Sequence, residues 1–196
     1  MKNIDNKIFI LEDFIFPETC EFLIDIFSKK LHDTDKIGVS GGPGRDENGG
    51  ASKTSALNKI ENKNNDMSYN IGIDFFTSIC TNIEKTVSSI FKKDLVLKSY
   101  FYSHMTEGGK NPMHFDNYSE DYAEDYSAVL YLSNNYDGGL LNFPQILTQL
   151  KPNPGTLLTF IGTEDLEHEV QEVVSGNRVN IIYFLNERKN NENQNN

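Results

Sequence analysis

The chain has 196 residues and a formal net charge of −11, because 29 acidic residues outnumber 18 Lys and Arg. This length fits one domain around a single core, expected at residues 1–186 with a disordered polar tail at 187–196. The acidic balance argues against nucleic acid as a partner, since phosphate neutralisation needs surplus Lys and Arg, although it leaves a basic peptide open.

The N-terminal part, about residues 1–94, is predicted to supply helices. Residues 8–16 suggest a short strand, and Pro17 suits the first turn of a helix. Apolar residues at spacings of three and four then predict a helix that ends near Lys29 and Lys30: Cys20, Leu23, Ile24, Phe27 and Leu31. A longer helix is predicted from a second apolar stripe: Phe75, Phe76, Ile79, Cys80, Ile83, Val87, Ile90 and Phe91.

Glycines are concentrated in residues 38–52, between the two predicted helices. Such a stretch predicts a flexible loop, long enough to act as a lid or a substrate loop. A phosphate-binding loop is the alternative, but the segment lacks the GxxxxGK[ST] pattern and no helix follows directly. A lid or substrate loop is therefore favoured.

From residue 95 onward the pattern changes to short β-type runs bounded by Gly, Pro, Asn or Asp. These runs cover residues 95–104, 127–133, 140–143, 156–161 and 178–185. Helices followed by a β-rich half predict a mainly β protein with flanking helices, in the α+β class.

The two cysteines, Cys20 and Cys80, lie in the helical patterns and lack the spacing of a metal site. This pattern predicts reduced thiols and a cytoplasmic protein. No segment approaches the ~20 apolar residues that span a bilayer, so no membrane partner is expected.

Three residues are candidate metal ligands: His114, Asp116 and His168. On a strand, residues two apart face the same side, so His114 and Asp116 can converge on one ion. A surface pair beside the acidic residues Glu120 and Asp121 explains those two equally well. Adding His168 gives two histidines and one carboxylate, the set that suits non-haem Fe(II) oxygenases. A zinc hydrolase can use the same ligands, but the sequence has no HExxH motif and no obvious general base.

Several short stretches occur in a characteristic order along residues 97–185. They are Tyr100-Phe-Tyr102, His114-Phe-Asp116, residues 128–134, 138–144 and 152–160, His168-Glu-Val170, Gly176-Asn-Arg178 and residues 181–185. In this order they resemble the 2-oxoglutarate- and Fe(II)-dependent dioxygenases, and within them the prolyl 4-hydroxylase group. Residues 14–20 also resemble the start of the family's first helix. The resemblance implies a double-stranded β-helix, or jelly-roll, core at about residues 95–186.

The resemblance also implies the roles of individual residues. His114, Asp116 and His168 would bind iron, and Arg178 would bind the distal carboxylate of 2-oxoglutarate. A guanidinium suits that role, because its planar donor pair matches a carboxylate. Tyr131 and Tyr102 are further candidates for binding this cosubstrate.

Two features depart from the family pattern. Leu140 and Leu141 follow the glycine pair, where Thr or Glu is often found after it. Asn180 stands two positions beyond Arg178, where Ser or Thr is common, and this leaves the hydrogen bonding of the cosubstrate open.

The implied activity is Fe(II)- and 2-oxoglutarate-dependent hydroxylation of an unactivated C–H bond, with O2 consumed, succinate and CO2 as coproducts and ascorbate as the expected reductant. By resemblance, the substrate is a prolyl residue in a peptide or protein. Acidic residues 120–125 would steer a basic peptide, but a solvated acidic loop explains them more simply. The alternatives are hydroxylation of a free amino acid or other small molecule, and a catalytically silent jelly-roll binding module. Substrate-binding residues and oligomeric state are left unassigned.

Overall fold

The structure is a computed structural model that describes residues 1–33, 52–56, 67–117 and 125–188. Within these ranges there are two α-helices, α1 (Pro17–Asp33) and α2 (Met67–Phe91). Helix α1 begins at Pro17, whose missing N–H costs nothing in a first turn. Neither described helix is long and apolar enough to cross a bilayer. The glycine-rich loop predicted at residues 38–52 lies outside the described residues, apart from Ser52.

The described strands are mostly short and antiparallel. In chain order they are β1 (Lys2–Ile4), β2 (Ile8–Leu11), β3 (Ser52–Ala56), β4 (Leu95–Met105), β5 (Asn111–His114), β6 (Tyr126–Tyr131), β7 (Tyr136–Gly138), β8 (Leu141–Phe143), β9 (Thr148–Leu150), β10 (Leu157–Ile161), β11 (His168–Val170), β12 (Val173–Gly176) and β13 (Arg178–Glu187). The larger sheet has the order β1-β2-β10-β6-β13-β4-β3, and the smaller sheet has the order β5-β11-β8-β9. Strands β12 and β7 form a separate pair.

Side chains alternate between the two faces of the larger sheet, and each face belongs to a different core. One face packs against the helices, through residues that include Tyr102, Leu130, Val179, Ile181 and Tyr183. The other face packs against the smaller sheet, through residues that include Met105, Val129, Tyr131, Leu158 and Phe160. The second core is therefore the interior of the jelly-roll, between the two sheets.

Cys20 and Cys80, which were predicted to be reduced, are both buried free thiols. Burial raises the pKa of Cys20 to about 11 and that of Cys80 to about 12. Both thiols belong to the core between the helices and the larger sheet.

The predicted fold class, a mainly β protein with a jelly-roll core and flanking helices, is confirmed. Each β-type run of the C-terminal half forms a strand with slightly different ends. Strand β13 continues to Glu187, whose backbone N–H donates to Asp125, so the predicted tail begins at least one residue too early. Residues 189–196 lie outside the described residues.

Candidate active site

The three predicted metal ligands lie together at one end of the smaller sheet. His114 is the last residue of β5, and His168 is the first residue of β11. The two strands are antiparallel, with His114 directly opposite His168. One ligand atom each from His114, Asp116 and His168 lie within 4.8 Å of one another. Pairing of two strand ends thus brings residues 54 positions apart to one point.

Asp116 reaches the two histidines differently from the prediction. Strand β5 ends at His114, and Asp116 lies in the bend that follows, so simple strand alternation does not explain the convergence. The nearest contact joins Nε2 of His114 to Oδ1 of Asp116 at 3.5 Å, and Nε2 of His168 lies 3.9 Å from Oδ2. The bend folds the carboxylate back towards Nε2 of both rings.

Both imidazole rings are held with Nε2 towards the carboxylate. Nδ1 of His114 lies 2.7 Å from the carbonyl oxygen of Pro112, and Nδ1 of His168 lies 3.0 Å from that of Leu166. A carbonyl oxygen only accepts, so each Nδ1 carries the proton and each Nε2 keeps a free lone pair. The amide of Asn111 donates to Nε2 of His114 at 3.2 Å, a contact that a metal ion would replace.

The surroundings of the ligands favour a neutral histidine and a charged carboxylate. Burial lowers the pKa of His168, which is 5% exposed and packed against the rings of Phe143 and Phe160. Burial alone would raise the pKa of Asp116, but the neighbouring histidines and the Ser127 hydroxyl hold it below its usual value. Neutral imidazole and carboxylate are the forms that bind a metal ion.

Arg178 starts β13 and points into the jelly-roll interior, where it is 2% exposed. Its Nε donates to the carbonyl oxygen of Gly139 at 3.1 Å, and Nη1 donates to Oδ1 of Asn180 at 3.2 Å. Its Nη2 donates to the hydroxyl oxygen of Tyr131 at 3.4 Å. Within the described ranges no carboxylate forms an ion pair with this guanidinium, and a buried charge without a counter-ion is costly.

A second tyrosine, Tyr136, lies beside this guanidinium and was not selected from the sequence. A Cβ added at Gly139 would meet Cδ of Arg178 at 3.1 Å and the ring of Tyr136 at 3.2 Å, so both side chains flank that glycine. Gly139 has a φ of +58°, which glycine adopts without strain. Burial raises the pKa of Tyr136, and the charge of Arg178 opposes this rise. The Tyr136 hydroxyl is buried beside the guanidinium of Arg178, and its hydrogen has no acceptor among the described residues.

Hydrogen-bond donors exceed acceptors around Arg178. Three of the five guanidinium N–H groups have the acceptors named above. The two remaining N–H groups and the hydroxyl hydrogens of Tyr131 and Tyr136 have no acceptor in the part of the chain that the structure describes. A carboxylate has about four lone-pair sites and one negative charge, so it matches this set in number and in sign.

Tyr102, the other tyrosine predicted to bind the cosubstrate, lies elsewhere. Its side chain is fully buried on the helix-facing side of β4 and stacks on Phe27 of α1, with ring centroids 4.9 Å apart. The residue of β4 that pairs with Arg178 and faces the interior is Met105. The prediction for Tyr102 is therefore corrected, because strand alternation turns its side chain away from the pocket. Asn180, the departure noted in the sequence, orients the guanidinium of Arg178 instead.

Strand β6 connects the metal-ligand cluster to the Arg178 cluster. At one end Ser127 contacts Asp116, and at the other end Tyr131 contacts Arg178. Ser127 and Tyr131 are four residue steps apart along the strand, which is roughly 13 Å, and the buried side chain of Val129 lies between them. The metal-ligand cluster and the Arg178 cluster therefore lie along the same interior stretch of β6.

The donor set fits a ferrous ion and 2-oxoglutarate. Two neutral imidazoles and one carboxylate on one side of an ion form the facial set of non-haem iron oxygenases. The buried, donor-rich cluster around Arg178 lacks the acceptor that the distal carboxylate would supply. Both requirements are met by side chains that converge on the same interior.

Comparison with known proteins agrees with this geometry. Residues 100–188 match the family model of the 2OG-Fe(II) oxygenase superfamily. No curated protein matches the chain significantly in sequence.

Among solved structures, a prolyl hydroxylase from Trichoplax adhaerens in complex with a hypoxia inducible factor peptide fragment has a TM-score of 0.72 at 15% identity, over 93% of this chain and 84% of the other. A prolyl-4-hydroxylase from Pseudomonas putida has a TM-score of 0.67 at 15% identity, over 93% and 94%. The viral collagen prolyl hydroxylase of Paramecium Bursaria Chlorella virus-1, as its 2OG complex, has a TM-score of 0.61 at 16% identity, over 93% and 97%. At these identities the three structures show a shared fold.

The resemblance predicted from the sequence is therefore confirmed: residues 100–188 match the 2OG-Fe(II) oxygenase superfamily, as expected of a 2-oxoglutarate-dependent dioxygenase, and the chain has a fold that it shares with prolyl hydroxylases.

Proposed function

We propose that the chain hydroxylates a prolyl residue in a peptide or protein, with Fe(II) held by His114, Asp116 and His168 and 2-oxoglutarate held at Arg178. The observation that carries this proposal is the buried guanidinium, whose free N–H groups and neighbouring phenols lack an acceptor within the described residues. An anion with the geometry of a carboxylate supplies the missing charge and the missing acceptors.

When bound, the ferrous ion and 2-oxoglutarate supply the oxidising chemistry that hydroxylates an unactivated C–H bond, with succinate and CO2 as coproducts. The side chains and carbonyl groups of the chain hold the ion and the keto acid in position. Carbonyl oxygens fix both imidazole rings, and the ion pair with Arg178 holds the far end of the keto acid. Because the two clusters lie at opposite ends of one interior stretch of β6, the keto acid is aligned before a substrate arrives.

Apolar side chains line the remainder of this interior. Phe143 and Phe160 pack against His168, and Leu158 and Val129 are buried beside them. An apolar lining excludes bulk water, which strengthens the electrostatic contacts of the cosubstrate and protects the centre from side reactions.

The prolyl substrate is supported by the three prolyl hydroxylases that share the fold, one of which is bound to a peptide fragment. The net charge of −11 would favour a basic peptide over an acidic one. Ascorbate is proposed as the reductant that maintains iron in the ferrous state.

The proposal is tested by incubating the protein with Fe(II), 2-oxoglutarate, ascorbate and proline-containing peptides. We expect succinate to form and the peptide mass to increase by about 16 Da, the mass of one oxygen atom, because the bound iron and 2-oxoglutarate supply the oxidising chemistry. Free proline is the comparator, and its hydroxylation in place of the peptide would support the small-molecule alternative.

Two variants complete the test. His168→Ala should abolish iron binding and succinate formation, because it removes a ligand of the cluster. His104→Ala is the matched control, since His104 bonds to Asn177 and lies outside the cluster. If the wild-type protein binds no iron and forms no succinate, the proposal is wrong and the alternative of a catalytically silent binding module is supported.

A further inference from the structure

A serine hydroxyl contacts the carboxylate of the candidate metal site from the opposite sheet. Oγ of Ser127, on β6, donates a hydrogen bond to Oδ2 of Asp116. Both side chains are buried, with Ser127 at 0% and Asp116 at 7% exposure. The hydrogen bond connects the larger sheet to the bend that follows β5.

Ser127 is held rigidly in place by its neighbours. It lies on a central strand, opposite Phe160 of β10 on one side and Phe184 of β13 on the other. Its carbonyl oxygen also accepts a hydrogen bond from the Thr159 hydroxyl at 2.8 Å. The hydroxyl of Ser127 therefore fixes the orientation of the Asp116 carboxylate.

The consequence concerns the two oxygens of Asp116. Oδ2 accepts the hydrogen bond from Ser127 and lies 3.9 Å from Nε2 of His168, whereas Oδ1 lies nearer to a ring nitrogen, 3.5 Å from Nε2 of His114. We propose that Ser127 is a positioning residue that restricts Asp116 to one metal-bound oxygen, Oδ1, and so keeps a coordination position open. The inference rests on the proposed function, because it assumes that the cluster binds a metal ion and that 2-oxoglutarate chelates it.

This restriction matters because the number of coordination positions on the ion is limited. In an octahedral site, three protein ligands and a chelating keto acid leave one position for a small molecule. If both oxygens of Asp116 bound the ion, that position would be filled by the protein itself. A single hydrogen bond thus separates a centre that accepts a further ligand from one that is closed.

The test measures inner-sphere water with Mn(II) in place of iron, in the presence of 2-oxoglutarate and without turnover. Water-proton relaxation by the Mn(II) complex reports whether a water molecule occupies the remaining position. We expect wild type to show the relaxation enhancement of a bound, exchanging water. Ser127→Ala should retain Mn(II) but lose at least about half of that enhancement, and Ser127→Thr, which restores the hydroxyl, should recover it.

A matched control is available on β4, two strands away from β6 in the larger sheet. Ser103 of β4 is also buried, at 1% exposure, but its hydroxyl has no partner among the described residues. Ser103→Ala should therefore leave the relaxation unchanged. Equal relaxation in wild type and Ser127→Ala would overturn the proposal, as would an equal decrease in Ser103→Ala or loss of Mn(II) from Ser127→Ala. Wild type that retained neither Mn(II) nor 2-oxoglutarate would instead refute the proposed function, and this inference with it.

Discussion

Removing the hydroxyl of Tyr136 should weaken 2-oxoglutarate binding and stabilise the unliganded protein at the same time. A hydrogen bond to a charged group contributes about 1.5–3 kcal/mol, so Tyr136→Phe should raise the Kd for 2-oxoglutarate about 10- to 100-fold. In the unliganded protein the hydrogen of this buried hydroxyl has no acceptor among the described residues, which costs free energy. Its removal should raise the free energy of unfolding by up to about 1 kcal/mol.

Tyr183 provides the matched control for Tyr136. Its hydroxyl is also buried without a described partner, but it lies in the core between the helices and the larger sheet. Calorimetric titration of 2-oxoglutarate into the Mn(II)-loaded protein, combined with urea unfolding of the unliganded protein, separates the two effects. Tyr183→Phe should reproduce the stabilisation and leave the Kd unchanged. Unchanged 2-oxoglutarate affinity in Tyr136→Phe, or equal weakening in both variants, would refute the assignment.

Three further results are expected. Arg178→Met should weaken the binding of 2-oxoglutarate at least about 100-fold, because two charged hydrogen bonds are lost. Mn(II) should still bind, because the metal-ligating side chains remain. Separate titrations of 2-oxoglutarate and of Mn(II) would show both effects. Addition of Mn(II) at about 100 times its Kd should stabilise the wild type and His104→Ala by about 2.7 kcal/mol in thermal unfolding, and His168→Ala should show no shift. Burial lowers the pKa of His168 below 6.5, so as the pH falls the unfolded chain takes up a proton at this residue before the folded protein does. The metal-free protein should therefore lose stability as the pH falls below 6.5. A urea midpoint that stayed constant there would contradict this.

The metal ligands and Arg178 could be selected from the sequence because their chemistry is specific and their order along the chain is informative. Tyr131 and Tyr102 could not be distinguished in that way. Residues 100–102 are three aromatics in succession, so hydrophobic alternation gives no face, and an offset of one residue turns a side chain to the other side of a sheet. Only the pairing of β4 with β13 places Tyr102 against the helices.

Tyr136 was missed for a different physical reason. It opens a strand of three residues, too short to show periodicity, and its neighbours in space come from β13 and from the glycine at 139. Helix α2 likewise begins at Met67, eight residues before the predicted stripe, because its first turns mix apolar residues with Ser68, Asn70, Gly72 and Asp74 and show no continuous stripe. Long apolar periods were therefore readable from sequence, whereas contacts made across the fold by short elements were not.

The proposed ligands of the ion and of the keto acid belong to different sheets. His114 and His168 come from the smaller sheet, and Arg178 and Tyr131 come from the larger one. A bound ion and its chelating acid would therefore link two layers that otherwise meet through apolar packing and the hydrogen bond between Ser127 and Asp116. Binding of the ion and the keto acid would then make separation of the two sheets cooperative. Slower amide hydrogen exchange in β5 and β11 would report that the pocket is occupied, although neither strand forms this pocket alone.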